Sequence, residues 1–583
     1  MAAALPGGDP LAAALAAGET PSPEMVAAAG VREGMRPLLA WSLLAFVVVG
    51  TLAAMAINVR TQLLGRLPVG KAPEVLVEQA REFIHRAGYE DPPADSTFGF
   101  EYDTDFLRYV QDTDKSSLRW QKLDAYNPVS FWYRQSPRPL EEVADFFGFT
   151  PFGPTDPPAR FSGELLVRLN TDGRLRSFEA VPPQIVPAVD SSSLLDMSSF
   201  LRDTGVEAST WTRAEPQWNP RNFADVQAAW TATLLRAPQI SVRVESAAYR
   251  NRLVSFDLIG PWTQPARAAV FTVPTGGRLF NAVLLFGIVA CVGGGLLYAR
   301  RNVLMGRGDR RGAMRLGAGY IGMQGVGWLL NAHHVATLAE VARFFRAAAY
   351  ALWGGAVLLV LYLALEPFAR RRWPQMLVSW TRLLAGDWRD PIVGRDVLIG
   401  CAAGVAGACL MNLVLLAPTW FGRPEPMLTT FSVLLGFGAV VRGLLGAVLT
   451  ALSLALSLLF LLVLLRIVFR NEAVAATTWT LAAGVLALTS GQRNGQLESV
   501  AIAMLPALFW AVLQYVVIRR LGWLAYLCAN LVVSTIAFYP LTFQTSAWYA
   551  DTGYAVLAIL AAIAVFGLWT SLGGERMVRL NDL

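Results

Sequence analysis

The chain has 583 residues, of which 54% are apolar and only 16% charged, a balance that excludes an ordinary water-soluble protein. The formal net charge is +6, yet only Lys71, Lys115 and Lys122 are lysines, so the positive charge is almost all arginine. In so apolar a chain this excess marks loops held at one side of a membrane and excludes a nucleic-acid partner.

Residues 1–36 form an Ala/Pro-rich linker with neither the basic start nor the apolar core of a secretory signal. An apolar run over 37–58 predicts a first membrane anchor that stays in the mature protein. Residues 60–275 read as a globular α+β domain, with helices predicted over 73–87, 139–147 and 222–235. A multi-span region follows over 279–572, with apolar runs near 279–298, 316–331, 347–365, 397–416, 443–465, 473–488, 500–517, 521–541 and 554–572. Such runs approach the ~20 residues a helix needs to cross ~30 Å of hydrocarbon. The runs at 316–331 and 473–488 are short, and Arg442 interrupts the apolar stretch 428–442.

Arginines cluster after every second run: Arg300 to Arg315, Arg370 to Arg372, Arg466 and Arg470, Arg519 and Arg520, and Arg576 and Arg579 in a tail over 573–583. The positive-inside rule places these connections and both termini in the cytoplasm and residues 60–275 outside. The expected fold class is a polytopic α-helical membrane protein of about ten transmembrane helices with an extracytoplasmic α+β domain, in a bacterial plasma (inner) membrane.

The external domain carries two similar strings, RLRSFEAVPP at 174–183 and RLVSFDLIGP at 252–261, which match at Arg174/Arg252, Leu175/Leu253, Ser177/Ser255, Phe178/Phe256 and Pro183/Pro261. Each follows a polar turn and alternates as the second arm of a hairpin does. A tandem duplication over about 70–185 and 195–265 is expected.

Residue types that carry chemistry are sparse. Cys291, Cys401, Cys409 and Cys528 all lie in apolar runs without metal-ligand spacing and are read as small hydrophobes. His85, His333 and His334 are the only histidines, and no HExxH spacing occurs. His333, His334 and Glu340 are read as interfacial polar residues at a span end, and no metal, cofactor or catalytic residue is assigned. Within the spans, Gln324, Asn412, Gln514 and Asn530 are neutral and suit helix–helix hydrogen bonds, and Glu366 suits a local ion pair with Arg370 to Arg372. Arg442 is the one charge that a span would immerse. Gly400, Gly404 and Gly407 favour close helix packing. Residues 365–396 predict an amphipathic helix on the inner membrane face with Trp373, Leu377, Trp380 and Leu384 apolar, a turn at Asp390–Pro391, and Asp396 capping the next span.

The strings LPGGDPLAAALAAGETPSPEMVAAAG, YLALEPFARRRWP and SWTRLLAGDWRDPIVGRD resemble the part that follows the kinase lobe in large bacterial eukaryotic-like serine/threonine protein kinases of the acidobacterial type. The resemblance runs from residue 3 to the end. It implies a sensory and membrane region whose partner is a cytoplasmic kinase domain, in cis in relatives or in trans here, with an external ligand of unknown class. The kinase motifs themselves are missing: no lysine precedes residue 71, His85-Arg86-Ala87 lacks the catalytic aspartate, and Asp145-Phe146-Phe147-Gly148 is not a DFG. The expectation is a signalling chain without a catalytic site of its own, encoded separately or truncated at its start. A transporter or permease-like bundle with an accessory domain is the alternative.

Overall fold

The computed structural model describes residues 14, 20–28, 34–67, 70–116, 118–141, 153–185, 195–206, 211–234, 237–265, 267, 275–420, 432–493 and 500–573. The chain is mostly helical and carries one antiparallel sheet domain between its first two long helices.

The sheet domain follows the first long helix, α1 (Pro37–Thr61), and begins with α2 (Pro73–Arg86). Among the described residues eight strands follow: β1 Asp95–Tyr102, β2 Val129–Ser136, β3 Leu165–Asn170, β4 Leu175–Ala180, β5 Thr212–Ala214, β6 Val226–Leu234, β7 Ala237–Tyr249 and β8 Arg252–Ile259. They form a single sheet in the order β1-β2-β3-β4-β8-β7-β6-β5, every neighbouring pair antiparallel. Two four-stranded meanders thus join through their last strands. The two similar strings are those last strands, and the register sets Phe178 opposite Phe256. One face of the sheet is apolar because alternate residues point the same way. Phe131, Tyr133, Val167, Phe178, Val244 and Phe256 lie there under α2 and a 3₁₀ helix, Met197–Thr204.

The helix predicted over 222–235 is instead strand β6. Its Ala-rich composition reads as helical, but Ala228, Trp230, Ala232 and Leu234 are buried at period two, and the strand pairs along β7. Pairing with a ready neighbour outweighs a weak local preference. Residues 142–150, most of the helix predicted over 139–147, lie outside the described residues.

After the sheet come α3 (Thr275–Leu304), α4 (Arg310–Asn331), α5 (Ala339–Arg372), α6 (Val378–Ala385), α7 (Pro391–Trp420), α8 (Phe437–Phe469), α9 (Glu472–Arg493), α10 (Val500–Val516), α11 (Trp523–Phe538) and α12 (Ala550–Ser571). Among the described residues, five helices are long and apolar enough to cross a membrane: α1, α5, the Pro391–Leu413 part of α7, α8 and α12. Helix α11 is apolar but shorter. The two short runs of the sequence correspond to α4 and α9, each 22 residues long, and neither is among the five.

Close packing centres on α7. A Cβ on Gly400 or Gly404 would lie 2.6 Å from the carbonyl oxygen of Ala525 or Ala529, so only glycine lets α7 and α11 approach this closely. Polar side chains tie the same region together. Asn412 donates to Asn58 Oδ1 (2.8 Å), Asn58 donates to the Ile536 carbonyl (2.9 Å), and Gln514 and Asn530 exchange hydrogen bonds of 3.3 and 3.4 Å.

Candidate functional site

Among the described residues, three connections of the helical bundle hold the sheet domain. The loop between α4 and α5 brings His333 Nε2 to 2.9 Å from both carboxylate oxygens of Asp95, the first residue of β1. Arg343, on the first turns of α5, donates to the backbone carbonyls of Leu140 (2.8 Å) and His333. Leu434, just before α8, and Tyr549, just before α12, enter the apolar cluster of Phe106, Trp120, Tyr126 and Trp262. Trp548 stacks on Phe100 of β1, with ring centroids 6.3 Å apart. Asp103 organises this second core: it accepts from Trp262 Nε1 (2.9 Å), Tyr126 OH (3.1 Å) and the Phe106 amide (2.9 Å).

The opposite end of the bundle gathers arginines of four of the clusters, Arg307 and Arg315, Arg370, Arg466 and Arg519, while Arg576 and Arg579 lie outside the described residues. Glu472 accepts from Arg466 and Arg519 at 3.1 Å each, and the Arg519 guanidinium lies 3.9 Å from the centre of the Trp373 ring. Glu366 and Arg370, on the last turns of α5, form an ion pair that is almost wholly buried, with 0% and 2% of the side chains exposed. Arg370 also donates to the carbonyls of Arg307 and Pro21. Pro21 precedes a short helix, Pro23–Ala28, that packs on α6 and buries Val26 in the bundle core. Pro367 interrupts α5 and cannot bond the Leu363 carbonyl. Asn302 of α3 takes its place, donating to Leu363 and Ala364 at 2.9 and 3.1 Å.

The region expected as a surface amphipathic helix takes a different form. Helix α5 runs on to Arg372, a 3₁₀ turn follows at Pro374–Met376, and α6 is only 8 residues long. Trp373, Met376, Leu377 and Trp380 are buried in the bundle core. Their apolar face found the protein interior, which takes Trp and Leu as readily as a lipid surface does. Asp396 is no cap either, since α7 begins at Pro391. Asp390 takes that part, accepting from the Ile392 amide at 2.9 Å and from Arg382 at 2.6 Å, while Asp396 binds Arg395.

Of the polar residues singled out in the sequence, the structure joins His334 to Glu340 (2.6 Å) but sends His333 to Asp95. Among the described residues no group of three metal-ligating side chains occurs. Gln324 and Arg442 line one cavity between α4 and α8. No local pattern in the chain points to Asp95, 238 residues from its histidine, or to Arg134. Arg134 is buried on β2, and neither Nη atom has a hydrogen-bond partner among the described residues. Burial lowers its pKa, opposed by the carboxylates of Glu164, Asp156 and Glu179.

Helix α5 holds the sheet domain at Arg343 and the N-terminal segment at Arg370, 27 residues apart, which is about 40 Å at ~1.5 Å per residue. No family model, curated protein or solved structure matches the chain.

Proposed function

We propose that this chain is the membrane-embedded sensory part of a serine/threonine protein kinase-type signalling system. In this reading ten helices (α1, α3–α5 and α7–α12) span a bacterial plasma membrane, with the sheet domain outside and both termini in the cytoplasm. The sheet domain responds to an external ligand. The bundle carries that response to a kinase domain that joins the N-terminal segment or docks beside it. The sheet domain would be a tandem duplication, a reading supported by the mirrored meanders and by the facing of Phe178 and Phe256.

The observation that carries the proposal is helix α5. One rigid element makes polar contacts with the sheet domain at one end and with the segment preceding α1 at the other. A rigid helix with a partner at each end can couple two equilibria without any chemistry of its own. Arginines of four clusters support the orientation, since they meet at the end away from the sheet.

The test uses single cysteines in a background without the native four. In intact cells an impermeant maleimide should reach Ser116→Cys in the sheet domain and miss Met305→Cys after α3. In detergent, Arg343→Ala should change the labelling rate of Met25→Cys several-fold, because Met25 lies on the segment held by Arg370. Reversed labelling would reject the orientation. An unchanged Met25 rate in a folded Arg343→Ala protein would reject the relay.

A further inference from the structure

A cavity of about 260 Å³ lies at the seam of bundle and sheet domain, where the end of α1 meets the loop from α11 to α12. Gln62 and Tyr549 both line it, although only 6% and 3% of these residues is exposed. Gln62 donates through Nε2 to the Ala537 carbonyl at 3.1 Å, which leaves its Oε1 without a hydrogen-bond partner among the described residues. The Tyr549 hydroxyl has none there either, and neither oxygen is sealed off from the cavity. Asn58 lines the same space, but its amide is already committed to Asn412 and to the Ile536 carbonyl. Val59, Leu64, Leu541 and Phe543 supply apolar walls, and no residue of the lining is charged. Phe543 is 53% exposed, which gives the cavity a mouth on its side. The Tyr549 ring and Leu64 also belong to the apolar cluster of Phe106, Trp120 and Trp262, so one wall of the cavity is the sheet domain's second core.

Two buried polar atoms without partners cost free energy until something meets them. Here one is an acceptor and the other a hydroxyl. A single ligand hydroxyl serves both, because it donates once and accepts as well. Burial raises the Tyr549 pKa, so this hydroxyl stays protonated and can donate. An uncharged lining disfavours an ion, which would enter without a counter-charge. The volume sets the size, since a cavity of about 150 Å³ already holds benzene. We infer that the cavity binds a small neutral ring compound bearing a hydroxyl, of the phenol or naphthol class, which donates to Gln62 Oε1 and accepts from Tyr549. Water would meet the two oxygens but leave the apolar walls wet, whereas a ring covers them. Binding at this site does not rest on the signalling reading, and its test reads occupancy alone.

The experiment takes the full chain in detergent with Phe543→Cys as the sole cysteine, and follows its labelling by a soluble maleimide. The occupants are 2-naphthol, 2-methoxynaphthalene and naphthalene. Each should slow labelling saturably, with 2-naphthol acting at roughly tenfold lower free concentration than naphthalene, the scale of hydrogen bonding between neutral groups. 2-Methoxynaphthalene accepts but cannot donate, and should fall between them. Tyr549→Phe should remove most of the 2-naphthol advantage and leave naphthalene unchanged. Its unfolding midpoint should match that of its parent, because the hydroxyl holds no other group of the described chain. Leu541→Trp fills the space with Tyr549 and Gln62 in place, and should end protection by all three compounds. Equal protection by 2-naphthol and naphthalene, a full 2-naphthol advantage in Tyr549→Phe, or protection that survives Leu541→Trp would each overturn the proposal. Absence of protection by any of the three at saturation would overturn it too, and would leave the cavity to water.

Discussion

The two ends of α5 are built in contrasting ways. At the sheet-domain end the joint is a histidine–carboxylate pair with 23% and 16% of the side chains exposed, backed by arginine donors to backbone carbonyls. At the far end the joint is a glutamate–arginine pair with 0% and 2% exposed. A partly hydrated pair contributes ~0–1 kcal/mol and opens at little cost. Removing one partner of a buried pair costs about 3–5 kcal/mol, because the other charge is left in the interior. The His333–Asp95 contact can therefore adjust at little cost while the Glu366–Arg370 pair holds, which is the asymmetry that the proposed relay requires.

That comparison breaks first at the buried pair. Glu366→Gln should destabilise the purified protein by about 3–5 kcal/mol in detergent unfolding, and Arg370→Met should do the same. The double change Glu366→Met with Arg370→Met should recover most of the loss, since a matched apolar pair leaves no orphan charge. A near-neutral Glu366→Gln would show that the far joint is not the fixed one.

The sheet core gives the next largest effect. Phe178→Ala and Phe256→Ala should each cost about 3–5 kcal/mol, because both rings are fully buried and face each other across β4 and β8. Similar losses in the two variants would sharpen the duplication, and a neutral result in either would weaken it. Gly404→Leu should follow, at roughly 1–3 kcal/mol or more, by forcing α7 from the Ala529 carbonyl. Smallest is His333→Ala. It should shift the unfolding midpoint by the equivalent of about 1 kcal/mol or less, yet speed hydrogen exchange at the Leu140 amide, whose Asp95 acceptor loses its partner.

Much of this architecture was legible in the sequence, and the reasons are specific. Each apolar run became a helix because a segment of ~20 apolar residues has few other ways to satisfy its backbone. The Gly400 and Gly404 spacing announced close packing, and the strings around Phe178 and Phe256 announced two hairpin arms. Other features were hidden for physical reasons. Residues 226–234 have a composition that either a helix or a strand accepts, and only β7 decided between them. The face of Trp373, Leu377 and Trp380 looked amphipathic, but amphipathicity does not say whether lipid or protein covers the apolar side. Across the seam, His333 lies 238 residues from Asp95 and Arg343 lies 203 from Leu140, and no local pattern pairs them.

The central claim is that α5 joins the sheet domain to the N-terminal segment, and hydrogen–deuterium exchange of the full chain tests it most directly. Arg343→Ala removes the contact at the sheet-domain end alone. The account predicts faster exchange at 138–141 and 333–343 and also at 20–28 and 366–385, some 40 Å away along the helix at ~1.5 Å per residue, with β5 and β6 unchanged. Altered exchange confined to the neighbourhood of Arg343, with 20–28 and 366–385 as in the wild type, would contradict it.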